Sequence, residues 1–235
     1  MAELISARAD VSRIEDHVRR ALRAAQARGG EIAEAAAARL VPAVATIDEA
    51  LVLQKSTDDA EAVAWSQVLA EDAKSDEAIG SVRDAMWNAI GRTRQNAALD
   101  QVFPGGVRTY TSGDPRAQPV LMQVLASRIA ASAAPQWSDV LKQGWAAEVE
   151  AARTSYAAAV EAHRPTEAAA QVAVSGYRAA VRTGQARLRA FKRDLENLGL
   201  SEAQIHEIIP DASGRAVSPG PAPEPVPAPV RHERA

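Results

Sequence analysis

The residues able to do chemistry are few and widely scattered. The four histidines are His17, His163, His206 and His232. A di-metal site in a helical bundle needs Glu-x-x-His units facing inward, and no Glu lies three residues before any of them. Glu202 and His206 stand one turn apart, but within a short segment that reads as a capped surface helix. His163 lies on an apolar seam beside an expected helix end, which suggests a partner for the helix dipole rather than a metal ligand. The chain has 0 Cys, which removes disulfides, thiolate metal sites and a cysteine nucleophile. Neither a Gly-x-Ser-x-Gly elbow nor a phosphate-binding Walker loop occurs. Glu15-Asp16 and Asp58-Asp59 are adjacent pairs, so on a helix their side chains diverge and cannot share a proton. These observations imply no metal and no cofactor.

Two features retain functional interest. The first is the segment QVFPGGVRTYTSGDPRAQP, residues 101–119, which gathers Gly, Pro, Tyr, Thr and Ser between Ala-rich flanks. Phe103, Gly105, Gly106, Arg108 and Tyr110 form its candidate site, with Asp114 beside them, and successive glycine N–H groups can face an anion. Its turn chemistry equally suits an ordered joint with Phe103 and Tyr110 as anchors, and VRTYT reads as a brief extended segment. The second feature is a cationic stripe formed by Arg178, Arg182, Arg189 and Lys192, flanked by Arg187 and Arg193. Residues 48–84, in contrast, are rich in acids. The stripe could meet those acids within the chain or in a neighbouring molecule, meet another anionic partner, or be a solvated face. No aromatic residues interleave with the arginines as base stacking requires, and the net charge is -3, so nucleic acid is disfavoured.

Helices must position these residues. The 235 residues are 47% hydrophobic but only 4% aromatic, with much of the remainder alanine. Alanine buries little area per residue, so long helices packed side by side are the economical solution. Leu4, Val11, Val18 and Ala25 recur every seven residues, with Ala7, Ile14 and Ala21 on the alternate seam, until Gly29-Gly30 stops the helix. Ile32, Ala36, Leu40, Val44, Ile47 and Leu51 trace a second helix, kinked near Ala38 to Pro42. Ser56 or Thr57 could cap a third, which runs to about Leu99. Val120, Leu121, Val124, Leu125, Arg128 and Ile129 make the fourth, with Pro119 in its first turn. A fifth carries Leu141, Trp145, Val149, Ala152, Tyr156, Ala159 and His163, and breaks at Pro165, where Thr166 caps the next. The sixth has the clearest seam, Ala173, Tyr177, Val181, Gly184, Leu188, Phe191, Leu195 and Leu198. Gly176, Ala180 and Gly184 on that helix, with Gly144 on the fifth, suggest a tight crossing of the fifth and sixth helices. A short capped helix follows Ser201.

The expected fold is all-α, an elongated antiparallel bundle of about six long helices in two three-helix halves. Residues 1–102 form the N-terminal half, 103–119 an ordered connector, 120–210 the C-terminal half packing on the first, and 211–235 a disordered Pro/Ala-rich tail. The N-terminal residues lack the apolar core of a secretory signal, and no stretch of 18 apolar residues exists, so a cytoplasmic protein is expected, with no membrane partner. The function expected is non-enzymatic association with a protein partner or with itself, as scaffold, adaptor or self-assembling element. The alternative is a small-molecule or metal-binding enzyme with its site at residues 103–114. A membrane-active helical bundle is the more distant alternative.

Overall fold

A computed structural model of the chain describes residues 9–93 and 96–209. The described residues are all-helical, with no strand among them, in the order α1 (Val11–Arg28), α2 (Gly30–Arg39), α3 (Val41–Ala89), α4 (Ala97–Val102), α5 (Arg108–Thr111), α6 (Gln118–Ala131), α7 (Asp139–Asn197) and α8 (Glu202–Ile208). None of these helices is long and apolar enough to cross a membrane. Leu4, Ala7, His232 and the Pro-rich segment 211–235 lie outside the described residues. Contacts divide the chain into two compact units, Met1–Glu49 with Arg178–Ala235, and Ala50–Tyr177. The long helices α3 and α7 contribute to both.

In the first unit the seven-residue repeat of α1 is the buried face. Ile14, Val18, Ala21 and Ala25 are all nearly or fully excluded from solvent. Val18, Ala21 and Ala25 share a core with Ala36, Leu40, Leu188, Phe191, Leu195, Ile205, Ile208 and Ile209. Ion pairs rim it, with Arg39 Nε 2.7 Å from Asp194, Arg19 Nη2 2.6 Å from Asp48, and Arg28 paired with Glu207. The expected kink falls at Leu40, between α2 and α3, which places Pro42 in the first turn of α3 where a missing N–H costs nothing. Gly199, at φ 80°, ends α7 in the left-handed region, and Ser201 with Gln204 forms the expected capping box of α8.

In the second unit, Val68, Ile79, Val82 and Met86 of α3 meet Met122, Leu125 and Ile129 of α6 and Trp145, Val149 and Tyr156 of α7. The Trp137 and Trp145 rings stand edge to face at 5.9 Å, and the buried Trp137 Nε1 donates to the Met86 carbonyl at 3.2 Å.

Several expected helix ends are absent. Ser56 and Thr57 lie inside α3 and cap nothing; each hydroxyl donates to the Leu53 carbonyl one turn back, at 2.9 and 3.0 Å. α7 runs unbroken through Pro165, whose ring faces solvent. Thr166 is likewise interior, its hydroxyl donating to the His163 carbonyl at 2.7 Å. The buried His163 is tied to α3 two residues before the proline, so tertiary contact holds the turn that Pro165 weakens. At the other extreme, α3 stops ten residues short of Leu99, at Ala89. Gly91 and Arg92 there take φ of 75° and 57°, and Asn96 caps a separate α4 by accepting from Ala98 and Leu99.

Candidate interaction surface

The cationic face belongs to the first unit. From Arg178 to Arg193 the chain carries six cations and no carboxylate. The opposite side of this stretch of α7 is committed to the core through Val181, Leu188 and Phe191. Arg178, Arg182, Arg189 and Arg193 follow spacings of four, seven and four, so they share one face of the helix. At 1.5 Å per residue they span about 22 Å. All four are exposed, and none pairs with a carboxylate among the described residues. Arg187 is exposed on the other flank.

Lys192 departs from the expected stripe. Its side chain is only 14% exposed, with Nζ 3.4 Å from Glu202 and 3.9 Å from Glu196. It joins α7 to α8, and Arg193 takes the place expected for it. Spacing alone distinguishes the two, because Lys192 is three residues from Arg189 on the core-facing side and Arg193 is four residues away on the outer side. Several acids of residues 48–84 have partners of their own. Asp48 pairs with Arg19, Glu61 with His163, Glu71 with Lys74 and Asp84 with Arg83. Like charges one turn apart cost a few tenths of a kcal/mol per pair. The helix dipole offsets this only near the end of α7, about four to five turns beyond Arg182 and Arg178.

The central segment lies in the second unit and is built as a joint. Phe103 and Tyr110 are buried, edge to face at 5.9 Å. The Tyr110 hydroxyl donates to the Val102 carbonyl at 3.0 Å and accepts from Arg128 at 3.0 Å. VRTYT is not extended; Arg108–Thr111 is the single turn α5, because the Tyr110 and Thr109 amides donate back to Val107 and Gly106. Arg108 and Asp114 face solvent. Gly105 and Gly106 take φ of 81° and 82°, and the Gly106 amide donates to the Phe103 carbonyl at 2.9 Å, so it closes a turn and is not offered to an anion. A cleft of about 510 Å³ does open beside Phe103, Gly105 and Gly106, with Leu99, Asp100 and Val107. Its Arg83 is bonded to Asp84 at 2.8 Å and lies 5.0 Å from the Trp87 ring. The cleft therefore joins an apolar wall of Leu99, Phe103 and Val107 to an Arg83–Asp84 ion pair and the Asp100 carboxylate.

Sequence reasoning missed a set of polar links in the second unit. His163, only 2% exposed, has Nε2 2.9 Å from Glu61 and its ring 5.1 Å from Trp65. It is an interior residue of α7, not a partner for a helix end. Arg116 lies over the same Trp65 at 5.7 Å and pairs with Glu167 at 2.8 Å. The Tyr156 hydroxyl donates to Asp72 at 2.7 Å, and Gln118 donates to Asp76 at 2.9 Å. Burial and then the Asp72 carboxylate push the Tyr156 phenol up, while burial and then Asp72 raise Asp76, partly opposed by Gln118. These pairs lie 42 to 102 residues apart in sequence, and no local spacing announces them. Among the described residues no group of three or more His, Asp or Glu is placed to hold a metal ion.

No protein-family model, curated protein or solved structure matches the chain.

Proposed function

We propose that the protein works by association, docking an acidic protein surface on the cationic face of α7. The observation that carries this reading is the set of exposed arginines at Arg178, Arg182, Arg189 and Arg193, aligned on one face without carboxylate partners among the described residues. The guanidinium fork pairs well with carboxylates, and charge on a surface rim steers encounter and register. The central segment is consistent with the same reading, since Phe103 and Tyr110 are spent on packing and Arg108 does not line the cleft beside Phe103. The test is a retention experiment with the full chain and the triple variant Arg178→Glu, Arg182→Glu, Arg189→Glu. The intact chain should retain acidic proteins that moderate salt releases, and the variant should lose the same proteins while keeping its circular dichroism. Equal retention by both chains would sink the proposal, as would retention abolished by nuclease.

A further inference from the structure

We infer that the solvent face of α6 is a docking seam for a second copy of this chain, joined antiparallel about a two-fold axis. α6 packs Met122, Leu125 and Ile129 into its own unit, yet Val120 and Val124 on its other side are 63% and 42% exposed. Val120, Val124, Ser127 and Ala131 follow spacings of four, three and four, the spacing of a coiled-coil seam, and all four are exposed. Between Gln118 and Ala131 the sequence has no carboxylate and one cation, in a chain that is 24% charged. That cation, Arg128, is tethered by its bond to the Tyr110 hydroxyl. A shallow groove of about 450 Å³ lies along Val124, Ser127 and Ala131.

Size and charge select the occupant. With two α6 helices antiparallel and centred between residues 125 and 126, each Val120 meets the second copy's small Ala131, and each Val124 meets its Ser127. Every large residue thus finds a small one. On the flank, Arg128 meets the second copy's half-buried Leu121, against which its aliphatic stem can lie. The two Arg128 residues stand about 7.5 Å apart along the axis, so like charges do not meet. A parallel pair would set Val120 on Val120 and Arg128 level with Arg128. The seam is about 17 Å long, which makes an interface below about 1,200 Å² and hence a weak, concentration-dependent dimer.

The seam is independent of the cationic face of α7, and the experiment separates the two. Sedimentation equilibrium of the full chain over a wide concentration range should show a monomer–dimer equilibrium. Val124→Lys should raise the dissociation constant by about tenfold or more, by placing a cation in the seam, while Arg182→Glu with Arg189→Glu leaves it unchanged. Because the chain has 0 Cys, register can be read directly. Val124→Cys and Ser127→Cys chains, of different tagged mass, should form a mixed disulfide on mild oxidation far faster than either forms with itself. A monomer at every concentration, a dimer indifferent to Val124→Lys but broken by the α7 variant, or self-linked Val124→Cys as the main product would each overturn the proposal.

Discussion

The glycines of α7 give the sharpest test of the packing. Three of them lie in the helix interior, where glycine costs about 0.8–1 kcal/mol relative to alanine. The sequence suggests a tight crossing of the fifth and sixth helices at these positions, but both belong to the continuous α7, and the structure separates the three glycines. A Cβ added to Gly144 or Gly176 meets nothing within 4 Å, whereas one added to Gly184 meets Ile47 Cδ1 at 2.9 Å and Val18 Cγ2 at 3.6 Å. Carbon atoms rest at about 3.5–4.0 Å, so the Ile47 methyl would have to move by roughly 0.6–1 Å. Ile47 is fully buried, yet Cδ1 is its terminal atom, so the overpacking cost falls near the low end of about 1–3 kcal/mol. Gly144→Ala and Gly176→Ala should therefore each stabilise by about 1 kcal/mol. In Gly184→Ala the same helix gain and the clash roughly cancel, leaving a change of about 0 to 1 kcal/mol in the destabilising direction. Gly184→Val should be clearly destabilised. Urea denaturation can resolve these effects by unit. Trp65, Trp87, Trp137 and Trp145 all lie in residues 50–177, so tryptophan fluorescence follows Gly144 and Gly176, while far-UV circular dichroism also senses the unit holding Gly184. If Gly184→Ala stabilises as much as Gly176→Ala, the close approach of α7 to Ile47 and Val18 is wrong.

Other substitutions probe the polar links and the alanine-rich core. Tyr156→Phe removes the donor to Asp72 and should cost about 1 kcal/mol, since water can reach the half-buried acceptor; a double-mutant cycle with Asp72→Ala should give a coupling energy of similar size. Asp76 is raised in the folded state, so it binds its proton more tightly there than in the unfolded chain. It favours folding below the unfolded pKa and loses that contribution as pH rises through the folded pKa. Asp76→Asn keeps an acceptor for Gln118 and should stabilise at neutral pH by at most about 1 kcal/mol after solvent screening; thermal midpoints should show the gain shrinking on acidification, and a loss at neutral pH would contradict the assignment. Phe191→Ala empties a fully buried site in a core made largely of small residues and should cost about 3–5 kcal/mol by chemical denaturation.

What could be read from the sequence follows the range of the interactions. The seams of α1 and α7 were legible because a repeated apolar spacing needs no knowledge of the partner: Val18, Ala25, Val181, Leu188, Phe191 and Leu195 are all buried as their spacing demands. Caps were legible where the signal is local, as at Ser201, and misleading where a buried contact overrides it. Thr166 after Pro165 has the pattern of a helix start, but Glu61, Trp65 and the His163 ring hold α7 together there. The α6 face fails for a related reason. Val120, Val124 and Leu125 look alike in a hydrophobic pattern, and only the placement of α3 and α7 decides that Leu125 is covered and the two valines are not.

The candidate surface shows the same logic in electrostatic form. Six cations from Arg178 to Arg193 can be counted in the sequence, but their pairing cannot. Composition leaves open whether the acids of α3 serve the arginines, and six of those acids have partners in Arg19, His163, Lys74, Tyr156, Gln118 and Arg83. Lys192 is the instructive exception on the same helix. It finds Glu202 because α8 folds back onto the core through Ile205 and Ile208, a contact that hydrophobic burial creates and that the ion pair then uses. Among the described residues, Arg178, Arg182, Arg189 and Arg193 stay exposed and have no carboxylate partner. A cation on this helix is therefore neutralised where the apolar packing brings a carboxylate to it, as α8 does for Lys192.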